Sequence, residues 1–203
     1  MTRKTLLARR ERGILFVISA PSGAGKTTLV RRVIAQLPEV ALSLSYTTRV
    51  PRPGEQRGVD YVFITRDEFD TMRREGRFIE WAQVHGDLYG TPWTNLESIE
   101  HGEDLVLEID TQGAKKIRKA FQDGVLVFIA PPSREVLEER LRIRGGDSEE
   151  AIQARLDNAQ KELDQMVWYD YIVINDDVEE ATRQLASIVV AERCKTVRVL
   201  PQG

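Results

Sequence analysis

A chain of 203 residues can hold one sizeable hydrophobic core, or one core with a smaller inserted unit, and is too short for two large independent domains. Its balance of 41% hydrophobic and 30% charged residues excludes a collagen-like, disordered or membrane-spanning polypeptide. A net charge of −3 supplies no global basic field for collecting nucleic acid, so any phosphate binding must be local. The basic start, 1–12, is read as a tail, because no apolar stretch with a small-residue cleavage site follows it. No apolar run approaches the roughly 20 residues of a membrane helix, so a cytoplasmic chain with no membrane partner is expected. The single cysteine, Cys194, excludes an internal disulfide and reads as a packed helix residue; with only His85 and His101 beside it, no zinc-ligand spacing exists.

Taken in chain order, 13–20 (GILFVISA) is a continuous apolar run without alternation, which predicts a strand buried on both faces of a parallel sheet. A glycine-rich turn follows. From Lys26 the period becomes helical, with Leu29, Val30, Val33, Ile34 and Leu37 on one face, until Pro38 closes the segment. The stretch 43–63, rich in Thr, Arg, Pro and Gly, reads as short strands and turns and opens an insertion over about 43–100. Thr65 with Glu68 predicts a capping box for a helix carrying Phe69 and Met72, which Gly76 ends before a strand over 78–84. Strands are then expected at 105–110, 125–130 and 169–174, and helices at 113–121, 133–144, 148–166 and 178–195. This alternation predicts an α/β fold with a parallel core sheet flanked by helices, formed by 13–42 and 104–193, with 196–203 as a second tail.

The loop Ala20-Pro21-Ser22-Gly23-Ala24-Gly25-Lys26-Thr27 lies between the first strand and the first helix, where a phosphate-binding loop must lie. Glycines at 23 and 25 permit turns that aim successive N–H groups inward at an anion, and the helix start adds free N–H groups and a positive dipole end. Lys26 is placed for β- and γ-phosphates and Thr27 for Mg²⁺. Ala20 stands where the motif expects a first glycine. The motif indicates a nucleoside triphosphate donor and leaves the acceptor open. Arg49 and Arg52, three apart in a proline-stiffened extended segment, suit bidentate recognition of a second phosphate, with Tyr61 and Tyr89 as hydroxyl donors. Glu108 and Asp110 lie two apart and share a strand face, and Asp110, at the carboxyl end of its strand, is placed to order Mg²⁺ through water or to cap the next helix.

S-Y-T-T-R-V-P-R-P-G-E after the loop, then G-V-D-Y-V-F, F-I-E-W-A-Q-V, Y-G-T, L-E-I-D-T-Q-G and I-V-I-N-D-D, resemble the guanylate kinase family from about 13 to 193. The resemblance implies transfer of the γ-phosphoryl group of ATP to GMP, and to dGMP, in purine nucleotide metabolism. It also implies that Arg49, Arg52, Tyr61 and Tyr89 hold the GMP phosphate and that Ser45, Glu80, Thr91 and Glu108 recognise guanine. Guanine offers N1–H and a 2-amino group as donors, which an ionised carboxylate accepts and which adenine lacks, and this favours Glu80 for the task. Arg140 and Arg144, four apart on one helical face before Gly145-Gly146, suit a lid over about 139–158. The resemblance adds Arg155 to that lid and places Asn175 near the adenine, whereas Arg142 points away. Two rivals stand beside this reading: a non-catalytic interaction module of the same fold, and a P-loop kinase acting on another nucleoside monophosphate or a phosphorylated sugar.

Overall fold

The computed structural model describes residues 12–52, 54–84, 86–144 and 148–200, with the side chain of Arg144 outside that description. Most of the basic start and the Gly145-Gly146 break therefore lie outside the described residues. In chain order the first half comprises β1 (Leu15–Ser19), α1 (Lys26–Gln36), β2 (Val40–Leu42), β3 (Tyr46–Thr47), β4 (Val62–Phe63), α2 (Arg66–Arg74), β5 (Phe78–Val84) and β6 (Asp87–Pro92). A 3-10 turn, Trp93–Leu96, runs into α3 (Glu97–Glu100). The second half comprises β7 (Asp104–Glu108), α4 (Thr111–Ala120), β8 (Val125–Ala130), α5 (Arg134–Arg144) and α6 (Glu149–Leu163), then a 3-10 turn Met166–Trp168, β9 (Tyr171–Ile174), α7 (Val178–Arg193) and α8 (Thr196–Val199).

Five strands form an all-parallel sheet in the order β2-β7-β1-β8-β9. The unbroken apolar run of β1 explains its central place, because its side chains must be buried on both faces. Ile14, Phe16 and Ile18 enter one core with Leu29, Val30 and Val33 of α1 and Ala181, Leu185 and Val189 of α7. Leu15 and Val17 enter the other with Ile99, Ala114 and Ile117. Asp104, fully buried at the start of β7, ties the layers together: it accepts the Ile14 N–H at 2.8 Å and pairs with the Arg193 guanidinium at 2.7 Å. Satisfying both carboxylate oxygens in this way makes a buried charge tolerable.

Residues between β2 and β7 build a second sheet in the order β4-β3-β6-β5, in which β6 runs antiparallel to β3 and β5. Its own small core is Phe69, Phe78 and Leu88, with Phe69 and Phe78 stacked at 4.5 Å. The capping box holds as expected, with Thr65 Oγ1 accepting from the Glu68 N–H and Glu68 accepting from the Thr65 N–H. A bulge falls between Phe78 and Glu80. It lets Phe78 and Trp81 serve the small core while Glu80 and Ala82 face the opposite side. Helices α5 and α6 pack on each other through Leu137, Leu141, Ile152, Leu156 and Ala159.

A strand appears that the sequence reading leaves unassigned, and two expectations change. The segment holding Tyr89 and Thr91 is a full strand, β6. Residues 196–200 are not a free tail: α8 forms there, and Arg198 donates to the Asp123 carbonyl at 3.0 Å and meets the buried Glu192. Cys194 is exposed at the C-terminal cap of α7, because the last turn of the helix rotates it out of the packed stripe.

Candidate functional site

A cleft of about 920 Å³ opens between the two sheets and is roofed by α5 and α6. Its donor wall is the loop after β1, lined by Ala20, Pro21, Ser22, Gly23, Gly25, Lys26 and Thr27. Ala24 turns its methyl into the core instead. Gly23 and Gly25 have φ of 93° and 89°, the left-handed region that side chains disfavour. At Gly25 the need is also steric, since an added Cβ would sit 2.3 Å from Asn175 Nδ2. Lys26 reaches across to the Ile109 carbonyl at 3.1 Å, and the Thr27 hydroxyl donates to the Glu108 carboxylate. Asp110 does the capping expected of it, accepting the Gly113 N–H at 2.8 Å, and still lines the cleft.

The opposite wall belongs to the second sheet, with Ser45, Arg52, Tyr61, Glu80 and Tyr89 on the cleft. Glu80 is not the outward-facing glutamate that an edge strand usually carries. It is 4% exposed, its Oε1 accepts the Thr91 hydroxyl at 2.8 Å, and Thr91 itself is fully buried behind it. Burial, with Asp110 adding to it against the Thr91 hydrogen bond, pushes the Glu80 carboxyl up to about 7. Gly113 makes the room: a Cβ there would lie 2.7 Å from Glu80 Oε2. Desolvation of the half-buried Tyr61 phenol pushes it up to about 12, so it is a neutral donor at any ordinary pH.

Two site residues stand elsewhere than expected. Arg49 lies behind the wall rather than on it, bonded to Tyr89, Val50 and Glu55. Asn175 is 3% exposed and off the cleft; its Nδ2 donates to the Ala24 carbonyl at 2.7 Å, so it braces the phosphate loop from behind rather than facing a base. Arg140 and Arg155 do line the cleft, and Arg140 donates to the Asn175 carbonyl at 2.9 Å. Arg142 points away, as expected, into Glu138 and Glu149. The Arg144 side chain lies outside the described residues.

Sequence reasoning found Arg155 on α6 but missed the polar groups beside it. Asn158 and Glu162 continue the face of Arg155, and with Gln165, just past the end of the helix, they line the cleft, whereas Ile152, Leu156 and Ala159 pack against α5. Burial, against the attraction of Lys26, pushes the Glu162 carboxyl up to about 7. The signal was the i, i+3, i+7 spacing of Arg155, Asn158 and Glu162, but every surface helix has a polar face, and only the tertiary fold turns this one toward Lys26. Gly113 was missed as well, since a close approach from another strand leaves no local trace.

The guanylate kinase family profile matches residues 12–192, nearly the whole described chain. The chain belongs to the guanylate kinase family. It is 51% identical to a guanylate kinase of Syntrophotalea carbinolica over 94% of this chain and 91% of that protein. It is 50% identical to one of Geobacter metallireducens over 94% and 95% of the two chains. In three dimensions it is similar to the crystal structure of guanylate kinase from Anaplasma phagocytophilum, with TM-score 0.80, 34% identity, and coverage of 95% of this chain and 92% of that one. Membership accounts for the P-loop α/β core with a second sheet inserted between β2 and β7. No described helix is long and apolar enough to cross a membrane.

Proposed function

We propose that the chain transfers the γ-phosphoryl group of ATP to GMP, and to dGMP, releasing ADP and GDP or dGDP. One observation carries the reading: a lysine-bearing phosphate loop and a buried, base-sized carboxylate, Glu80, face each other across a single cleft. A monophosphate whose base rests on Glu80, which Thr91 holds from behind, has its phosphate toward Arg52, Tyr61 and Tyr89, pointing at the loop. Glu80 then accepts from guanine N1–H and the 2-amino group, a pairing that adenine does not offer. Those two donors also favour the ionised form of Glu80.

The bond-making step needs no nucleophilic side chain. A phosphate oxygen of GMP attacks the γ-phosphorus in line, the bond to the β,γ-bridging oxygen breaks, and ADP leaves with that electron pair. The work of the protein is to align two anions and neutralise the charge on the moving group. The loop N–H groups and Lys26 hold the triphosphate, and Arg140 and Arg155, with Arg144 from the same helix as Arg140, close over it from α5 and α6. Such closure excludes the water that would otherwise waste ATP. Residues 139–158 act as this lid, and the second sheet acts as the GMP-binding insertion.

The oxygen donors at the loop suit a hard divalent cation. Mg²⁺ would be held there by the Thr27 hydroxyl, by Asp110 through water and by the substrate phosphates. When bound, Mg²⁺ neutralises charge on the β- and γ-oxygens. The chain works as a purine nucleotide enzyme of the cytoplasm, with ATP and GMP as its small-molecule substrates and no nucleic-acid partner. The decisive experiment is coupled detection of ADP with Mg²⁺, ATP and each of GMP, AMP, CMP and UMP. ADP release with GMP alone is expected; equal rates with AMP would remove Glu80 from base selection, and no release with GMP would remove the reading.

A further inference from the structure

Glu55, in the irregular segment between β3 and β4, carries a carboxylate to which the proposed function gives no role. Its Oε1 accepts from Arg49 Nη2 at 2.8 Å, and its Oε2 accepts the backbone N–H of Arg52 at 2.8 Å. The remaining faces of Arg49 are used too. Its Nε donates to the Tyr89 hydroxyl at 3.1 Å and its Nη1 to the Val50 carbonyl at 2.8 Å, and its guanidinium carbon lies 5.5 Å from the Tyr61 ring and 5.8 Å from that of Phe63. The two charged side chains are covered, at 12% and 19% exposure, so water screens their attraction far less than at an open surface pair. Burial alone would raise the Glu55 carboxyl, yet the Arg49 and Arg52 hydrogen bonds outweigh it and hold the group below the usual carboxylate range.

Arg52, Tyr61 and Tyr89 line the cleft, whereas Arg49 and Glu55 do not. Glu55 thus sits one step back from the groups that face a phosphate, and it touches the scaffolding of each. It fixes the backbone from which Arg52 projects, and it clamps the guanidinium that orients the Tyr89 hydroxyl and packs on Tyr61. A segment without regular structure has no ladder of its own to hold these donors in register, and donors that are not held must be ordered at the moment of binding.

We infer that Glu55 is a positioning residue for the acceptor phosphate: through Arg49 and the Arg52 backbone it preorganises Arg52, Tyr61 and Tyr89 around a monophosphate dianion. The inference rests on the proposed acceptor site. The opposite idea, a carboxylate that occupies the phosphate position until the substrate displaces it, reverses the sign of the expected effect.

The test uses the full chain with Glu55→Ala and Glu55→Gln beside the unaltered protein. The unaltered protein must first release ADP with GMP; failure at that point counts against the proposed function, whereas a difference between the variants and an active parent bears on Glu55 alone. Glu55→Ala removes both hydrogen bonds and is expected to raise the GMP KM about tenfold or more, with the ATP KM within about twofold. Glu55→Gln, which keeps an oxygen acceptor, is expected to fall between the two. Guanosine binding measured by NMR separates positioning from damage to the fold, because a nucleoside without a phosphate does not need these donors. Its affinity is expected to hold in both variants. A GMP KM that falls or stays unchanged in Glu55→Ala overturns the inference, and so does guanosine affinity that drops in parallel with that of GMP.

Discussion

Glutamine in place of Glu80 is expected to make the protein more stable and less able to choose its base. The carboxylate is 4% exposed, and burial carries it from its ordinary 4.5 up to about 7. Each unit of such a shift is worth about 1.4 kcal/mol, so the ionised group costs the empty fold on the order of 3 kcal/mol above that pH. Proton counting gives the sign. Between 4.5 and about 7 the folded chain holds a proton that the unfolded chain has released, so stability falls as pH rises through that window and this contribution is flat on either side. Glutamine escapes the cost, keeps an oxygen for the Thr91 hydroxyl, and turns its amide toward the wet cleft. The melting temperature of Glu80→Gln should therefore exceed that of the parent by roughly 7 °C at about pH 8, with the gap closing toward about pH 4.5. Guanine, however, then meets an amide NH₂ opposite its own donor, a loss of about 3 kcal/mol that raises the GMP KM roughly a hundredfold while ATP is little affected. Steady-state ADP release with GMP and AMP, beside thermal melts across that pH range, reads both effects. An unchanged GMP KM, or a melting temperature lowered at about pH 8, would refute the reasoning.

Two further predictions concern the donor wall. Lys26→Ala should cut kcat at least about a hundredfold, as expected when a charge-stabilising donor is removed, while GMP binding measured by calorimetry stays near that of the parent. Asn175→Ala removes the Nδ2 bond to the Ala24 carbonyl and leaves a buried acceptor unpaired. It should lower stability by about 1–3 kcal/mol in denaturant unfolding and raise the ATP KM more than the GMP KM; a selective rise in the GMP KM would mean that the brace does not act on the loop.

The strands at 78–84 and 125–130 were legible to the residue because each is an apolar, β-branched or aromatic run closed by glycine or proline. The phosphate loop was legible for a similar reason, since its chemistry is local: glycines, a lysine and a threonine in consecutive positions. β6 was not, because Gly90 and Pro92 break its alternation, and its strand character comes from pairing with β3 and β5. Arg49 shows the same limit at the level of a side chain. Its type suggests a phosphate ligand, but its surroundings are set by how residues 48–61 fold back on themselves, and spacing does not encode that. Asn175 reads as a turn residue until the carboxyl end of β9 is brought beside the phosphate loop, 151 residues earlier in the chain.

Redesign for another purine meets a mechanical obstacle where β5 packs on α4. Glu80 fits against α4 only because residue 113 has no side chain, and the N–H of that same residue is the one Asp110 caps. Lys116, one turn further along α4, reaches across to the Trp81 carbonyl. A larger base-reading group on β5 would press on the first turn of α4 and so displace the acid beside Lys26 and Thr27. Swapping selectivity by transplanting the small sheet from a relative would therefore require carrying the opening of α4 with it.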